Sequence, residues 1–154
     1  MIRCILIPIG GGQILLPHAV IAEVCSYNEP EQVAENQPDW LLGRVNWRHQ
    51  QVPLLSIEEA LSLSVAISKP KYSMVILYGL ESTGLMPYYA LRAIDVPRTV
   101  SVTEESFTLV SSPEVRTGLV YSVMYNSEKV WLLDLTYLEN LLKKSPTFLQ
   151  QSVV

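Results

Sequence analysis

The sequence predicts a mainly β protein, folded as one barrel or a pair of barrels. Short apolar runs bounded by Gly, Pro, Asn or Ser recur along the chain, as in "IRCILIPIGGGQILLP" and "YSMVILYGL", the pattern of short strands separated by turns. Helix signals appear only twice, once in each half. With 154 residues, 49% hydrophobic and 17% charged, the chain has enough apolar surface for one core of ordinary size or two small subdomains sharing one.

A strand over residues 2 to 9 comes first, then a glycine turn at Gly10-Gly11-Gly12 and a second short strand over 13 to 16. Pro17 breaks the apolar segment that runs on to Val24, because proline cannot donate to a sheet ladder. "NEPEQVAENQPD", Asn28 to Asp39, is polar with two prolines and reads as a solvated loop. "LGRVNW" and "QVPLLSI" then make a hairpin around Arg48 to Gln50, with Pro53 confined to an edge or a bulge. Ser56, followed three residues later by Glu59, is a capping box, so a short helix is expected from Ile57 to Leu63.

In the second half, "YSMVILYGL" is a strand, "ESTG" a turn, and "LMPYYALRAIDV" an extended, irregular segment limited by Pro87 and Pro97. "TGLVYSVMYNSEKVWLLDL" is the clearest hairpin: Leu119, Tyr121, Val123 and Tyr125 alternate on one face, and Asn126 to Lys129 turn the chain. Asp134 can cap a helix running to Lys144, where Lys143 and Lys144 suit the negative end of its dipole. The residues from Ser145 onward are expected to fray.

Composition excludes several classes of function. With 11 Lys and Arg against 15 Asp and Glu, the net charge is -4. No basic run supplies the phosphate-neutralising footprint of a nucleic-acid binder. Cys4 and Cys25 lie in apolar stretches and read as small buried hydrophobes. The glycines interrupt the first apolar run, and no run of about 18 apolar residues follows. A soluble cytoplasmic protein is therefore expected, without a leader or spanning helix. His18 and His49 have no Cys or carboxylate at ligand spacing, no G-x-S-x-G elbow occurs, and the glycine turn lacks the Lys and Ser or Thr of a phosphate loop. Glu58 and Glu59 sit at a helix start, where they favour the dipole. The sequence thus predicts no metal, no cofactor and no catalytic group.

What remains is surface for binding. Trp40 and Trp47 flank or enter the first hairpin, and Arg48 stands at its turn with a planar donor fork. Aromatics beside an Arg have the composition of an interface anchor. The same two tryptophans fit equally well as core, with Arg48 merely solvated.

"WLLGRVNWRHQQVPLLSIEEAL" resembles the signature of CheW-like chemotaxis coupling proteins, in which Gly, an apolar residue, Asn, an apolar residue and Arg-Gly precede a Pro-containing strand and a short helix. Gly43, Val45, Asn46, Trp47, Arg48, Val52, Pro53, Leu54 and Leu55 match in order. "LLPHAVIAEV" is similar to the family's Leu-Pro-x-x-x-Val-x-x-Glu-Val element through Leu16, Pro17, Val20, Glu23 and Val24. The closing "GLVYSVMYNSEKVWLLDLTYLENLL" matches through Gly118, Leu132, Leu133 and Asp134. The resemblance spans residues 3 to 144 and is weaker from Tyr72 to Val115. It implies two packed, five-stranded SH3-like β-barrels with short helices, forming one domain over residues 1–144 with a flexible tail over 145–154.

The resemblance further implies a non-catalytic adaptor that couples the cytoplasmic tips of chemoreceptors to the regulatory domain of a CheA-type histidine kinase. Receptor docking would use the groove between barrels, and kinase docking the first barrel's outer face. Ile21, Glu23, Gly43, Asn46, Trp47, Arg48 and His49 would be the partner-binding residues, with Asn46 and Arg48 also holding the hairpin's shape. Two positions depart from the pattern. His49 replaces the Gly after the Arg, which His tolerates at some strain if the turn needs φ above zero. "YYALRA" replaces a Val-Asp pair in the long middle strand. Such drift suits a divergent chemosensory array, such as one steering pilus-driven motility. Outside chemotaxis, the same residues fit a small barrel that binds a ligand or an unrelated protein.

Overall fold

The computed structural model describes residues 2–32, 35–63, 69–79, 87–109, 119–125 and 128–144. Two curled β-sheets carry the chain. β1 (Ile2–Ile9) and β2 (Gly12–Pro17) pair as an antiparallel hairpin across Gly10 and Gly11, the latter at φ 95°. Pro17 ends β2, a 3₁₀ turn covers His18–Val20, and β3 (Ile21–Ser26) carries the chain into a different sheet. There follow β4 (Leu41–Trp47), β5 (Gln50–Leu55), helix α1 (Ile57–Ala60), β6 (Ser73–Tyr78) and β7 (Tyr88–Ala93). The chain then returns through β8 (Arg98–Val102), β9 (Phe107–Leu109), β10 (Leu119–Tyr125) and β11 (Glu128–Leu133) to helix α2 (Leu135–Lys143).

The first sheet has the order β8-β1-β2-β11-β10-β9, and the second the order β3-β6-β7-β5-β4. The second sheet is built wholly from the middle of the chain, and the first from both flanks. Each contains one parallel pair, β2 with β11 and β5 with β7, where the chain rejoins its own earlier strand. This is the mainly β, two-barrel class expected, with the three-residue β9 added to five longer strands in the first sheet.

The near-continuous apolar runs have a simple origin. Cys4 and Leu6 of β1 face a core inside the first sheet with Leu15, Val102, Val123 and Val130. Their neighbours Ile5, Ile7 and Ile9 face a larger core between the sheets. β6 divides likewise: Met74 and Ile76 fill the second barrel, while Val75 and Leu77 face the shared core. Because side chains alternate at period two, a strand buried on both faces reads as an apolar run rather than an alternation.

The helices seal that shared core. Ser56 Oγ accepts from the Glu59 N–H at 3.3 Å, which starts α1, and Ile57 and Ala60 turn inward. The helix stops at Ala60 rather than Leu63, since Ser62 adopts φ 55° and breaks the repeat. Asp134 Oδ1 accepts from the Tyr137 N–H at 3.2 Å, and α2 buries Leu138 and Leu142 between the sheets. The expected turns at residues 81–84 and 126–127, the Gly118 match and the frayed tail from 145 lie outside the described residues.

Two loop expectations are corrected. Residues 28–39 are not solvated throughout: Glu31 exchanges two backbone hydrogen bonds with Arg44 of β4, at 2.8 and 2.9 Å, and Trp40 packs half-buried on the shared core. Pro53 is inside the sheet, between β4 and β7, rather than at an edge. It is tolerated because the two-residue turn places it at a non-hydrogen-bonded position opposite Arg44, and pairing with β7 begins only at Leu54.

Candidate functional site

The β4–β5 hairpin turns at Arg48 and His49, with Trp47 paired to Gln50. Both turn residues have positive φ, 47° and 63°, as a type I′ turn requires. Such turns normally use Asn-Gly, because an L side chain in the left-handed region costs about 1–2 kcal/mol per residue. Here the strain is offset by contacts that the turn makes with a strand across the barrel.

That strand is β3. In the sheet order, β3 and β4 are opposite edges, and the curl of the sheet brings them face to face. Glu23 on β3 receives two donors from the hairpin: the Trp47 indole Nε1–H at 2.9 Å on Oε2, and Arg48 Nη2 at 3.0 Å on Oε1. The Arg48 guanidinium also lies 4.7 Å over the Trp47 ring, a cation–π arrangement. The Trp47 hydrogen bond, then that of Arg48, holds the Glu23 carboxyl below its usual range. The pair stays open to solvent, with 62% of the Arg48 side chain and 37% of the Glu23 side chain exposed.

Trp47 is itself core. It is 6% exposed and packs edge-on against Tyr88 at 4.7 Å, which in turn meets Tyr78 at 5.7 Å. A row of aromatics thus leads from the barrel interior to the surface at Tyr78. The tryptophan expected either as anchor or as core is a core residue with a polar edge aimed at the site, and Arg48 is paired rather than merely solvated.

The remaining expected site residues fall at different depths. Asn46 and His49 are exposed at the hairpin tip. Asn46 borders a cleft of about 280 Å³, shared with Asn28, Glu29, Glu31, Arg44 and Gln51. Gly43 is buried at φ 141°, where the loop crosses β4; a Cβ there would stand 2.2 Å from the Glu31 carbonyl oxygen. Ile21, at 9% exposure, belongs to the shared core and supports β3 from beneath.

Sequence reasoning missed the groove on the other flank of β3. Val24, Cys25, Ser26, Tyr27, Tyr72 and Val96 line most of a groove of about 520 Å³, with Val24 40% and Val96 71% exposed. The groove runs along the end of β3, the start of β6 and the connection between β7 and β8. The only local signal was a valine on the face of β3 opposite Glu23. Among the described residues, no group of His, Cys, Asp and Glu is arranged to hold a metal ion, and no helix is long and apolar enough to cross a membrane.

Comparison with known proteins agrees with this architecture. The crystal structure of the scaffolding protein TtCheW from Thermoanaerobacter tengcongensis superposes with a TM-score of 0.70, covering 87% of this chain and 84% of that one at 12% sequence identity. No curated protein sequence matches the chain. The CheW-like domain family matches residues 3–140. A barrel pair of this topology and a family match spanning nearly the whole chain lead to one conclusion: the protein belongs to the CheW-like domain family.

Proposed function

We propose that this protein is a non-catalytic adaptor of a cytoplasmic chemosensory array, coupling the tips of chemoreceptors to the regulatory domain of a CheA-type histidine kinase. The observation that carries the reading is the Glu23–Trp47–Arg48 cluster, a rigid, half-exposed charged tip on a barrel of the family fold. A guanidinium already held on a carboxylate and an aromatic ring meets a partner with little rotamer entropy left to lose. Residues 1–144 act as one domain, in which Glu23, Asn46, Arg48 and His49 contact the partner while Gly43, Trp47 and Ile21 hold them in place. The groove at Val24 and Val96 suits an apolar helical surface, the chemistry of a receptor tip.

Calorimetric titration against the regulatory domain of each CheA-type kinase of the source organism tests the reading. Binding of roughly micromolar strength, about -8 kcal/mol, is expected with one of them. Charge reversal at Arg48 alone would also set two carboxylates against each other, so the informative variant is the double exchange Glu23→Arg with Arg48→Glu. This restores the internal pair while inverting the charge pattern shown outward. Loss of binding by a folded double variant supports the site; undiminished binding removes it. Silence of the wild type toward every kinase and receptor tip would overturn the coupling role and leave a barrel that serves another partner.

A further inference from the structure

The groove at Val24 and Val96 has an aromatic wall. Tyr27, just past β3, and Tyr72, just before β6, both line it, with ring centroids 5.1 Å apart. Arg92 of β7 does not line the groove but supports that wall: its guanidinium lies 4.2 Å over the Tyr72 ring and donates to the Tyr27 phenol oxygen. Arg92 is balanced in turn by Glu58 of α1, which is 5% exposed and whose Oε2 accepts from the Gly10 N–H at 3.2 Å. A cation held between a ring, a phenol and a carboxylate leaves the two tyrosines little freedom, so the wall is set before any partner arrives.

Among the described residues that line this groove, Lys71 alone is charged. It is exposed, it forms no ion pair among the described residues, and its backbone is fixed by its N–H donating to the Ile94 carbonyl at 3.0 Å. Carboxylates in the neighbourhood are turned to other tasks. Glu23 is held by Trp47 and Arg48, Asp95 Oδ1 accepts from the Val96 N–H at 2.8 Å, and Glu29 lines the cleft beside Asn46. The Tyr27 phenol, having accepted from Arg92, keeps its own O–H to donate. Beside the apolar surface of Val24 and Val96, the charged and phenolic groups on offer are thus donors.

We propose that the groove selects an apolar helix bearing a carboxylate, with Lys71 as the specificity-determining residue and the Tyr27–Tyr72 pair as the surface on which the helix lies. This rests on the reading of the groove as a docking site for an apolar helical surface. A helix is favoured over an added strand because the facing backbone groups of β3 and β6 are spent on each other here, so a partner is met through side chains. Packing a neutral helix over Lys71 takes water from an ammonium without a counter-ion, which costs free energy. A helix with Glu or Asp at that end supplies the counter-ion. A basic helix is rejected by the same charge, so attraction and repulsion select together. The net charge of -4 opposes an acidic partner only weakly, since exposed charges more than about 8 Å away are largely screened at physiological salt.

Two synthetic helices, titrated into the full chain and followed by amide NMR, test this. Both present Leu at i, i+3, i+4 and i+7 on an Ala-rich scaffold, one with Glu beside the stripe and the other with Lys. The Glu helix is expected to shift the Val24, Tyr72 and Val96 amides and to bind about two- to fivefold more tightly than the Lys helix at low salt. Lys71→Glu, at an exposed position, should reverse that preference. Equal affinity for the two helices, a preference unchanged in Lys71→Glu, or no shift at the groove with either helix would overturn the proposal. Chemoreceptor tips serve as a separate probe. Binding of the Glu helix alongside silence of every tip would overturn the receptor reading and leave the groove's selectivity standing.

Discussion

His49 holds φ 63° beside Arg48 at 47°, so the hairpin tip keeps two side chains where glycine would be easier. His49→Gly should relieve about 1 kcal/mol of left-handed strain, set against an unfolded-state entropy cost of about 0.5 kcal/mol. The thermal midpoint is expected to rise by roughly 1–2 °C, as read by calorimetry or circular dichroism. Arg48 has no such freedom, because its position is fixed by Glu23 and the Trp47 ring. Glu23 makes the tip acid-sensitive. Its folded-state pKa is depressed, so its stabilisation is present above the unfolded carboxylate value and is lost as pH falls through the folded one. Glu23→Gln should therefore unfold at a lower temperature than the wild type at neutral pH, with the gap closing in acid. A constant gap across pH would show that the charge contributes nothing. The family resemblance, with its Gly after the Arg, raised a positive φ there only as a condition, and His49 meets it. The clamp was not legible, since no local rule links residue 23 to residues 47 and 48, and only curvature of the sheet brings them together.

At the scale of elements, β4 is closed onto the far side of its barrel at two places, the Glu23 clamp and the Glu31–Arg44 backbone pair. Gly43 makes the second possible. Gly43→Ala would place a methyl group 2.2 Å from a backbone oxygen and 3.1 Å from Pro30 Cβ, at a φ that L residues rarely adopt. The loop must then lift. With one or two hydrogen bonds and the strain counted together, the cost is about 2–4 kcal/mol, a fall in thermal midpoint on the order of 10 °C. Hydrogen exchange should show the Glu31 and Arg44 amides losing protection first; unchanged protection would mean that the loop does not depend on Gly43. Most strand positions were readable because turn residues bracket them, and both helices because Ser56 and Asp134 cap them, but β8 and β9 were not. The docking of Glu31 was not readable, since an acidic residue between Pro30 and Gln32 carries no mark of pairing. Pro53 misled for a related reason: a proline in a strand announces a missing donor, but the turn register decides whether any acceptor is waiting for it.

Over the whole molecule, what holds the two barrels together is a third core, fed by both sheets and both helices. The apolar runs that predicted barrels did not say that alternate residues of β1 and β6 belong to different cores, because double burial erases the period that would have shown it. Glu58 was hidden by the opposite confusion, since it looked like an ordinary helix-start residue and is buried against the Gly10 turn. The sheet order has one more consequence. β1 pairs with β8 and β2 with β11, partners close to a hundred residues or more downstream. Contacts of such sequence separation slow folding. On a ribosome adding about 5–20 residues per second, the β1–β2 hairpin waits several seconds with both edges bare while the second barrel, made entirely from the intervening chain, can form and close. The barrel begun first is the one finished last.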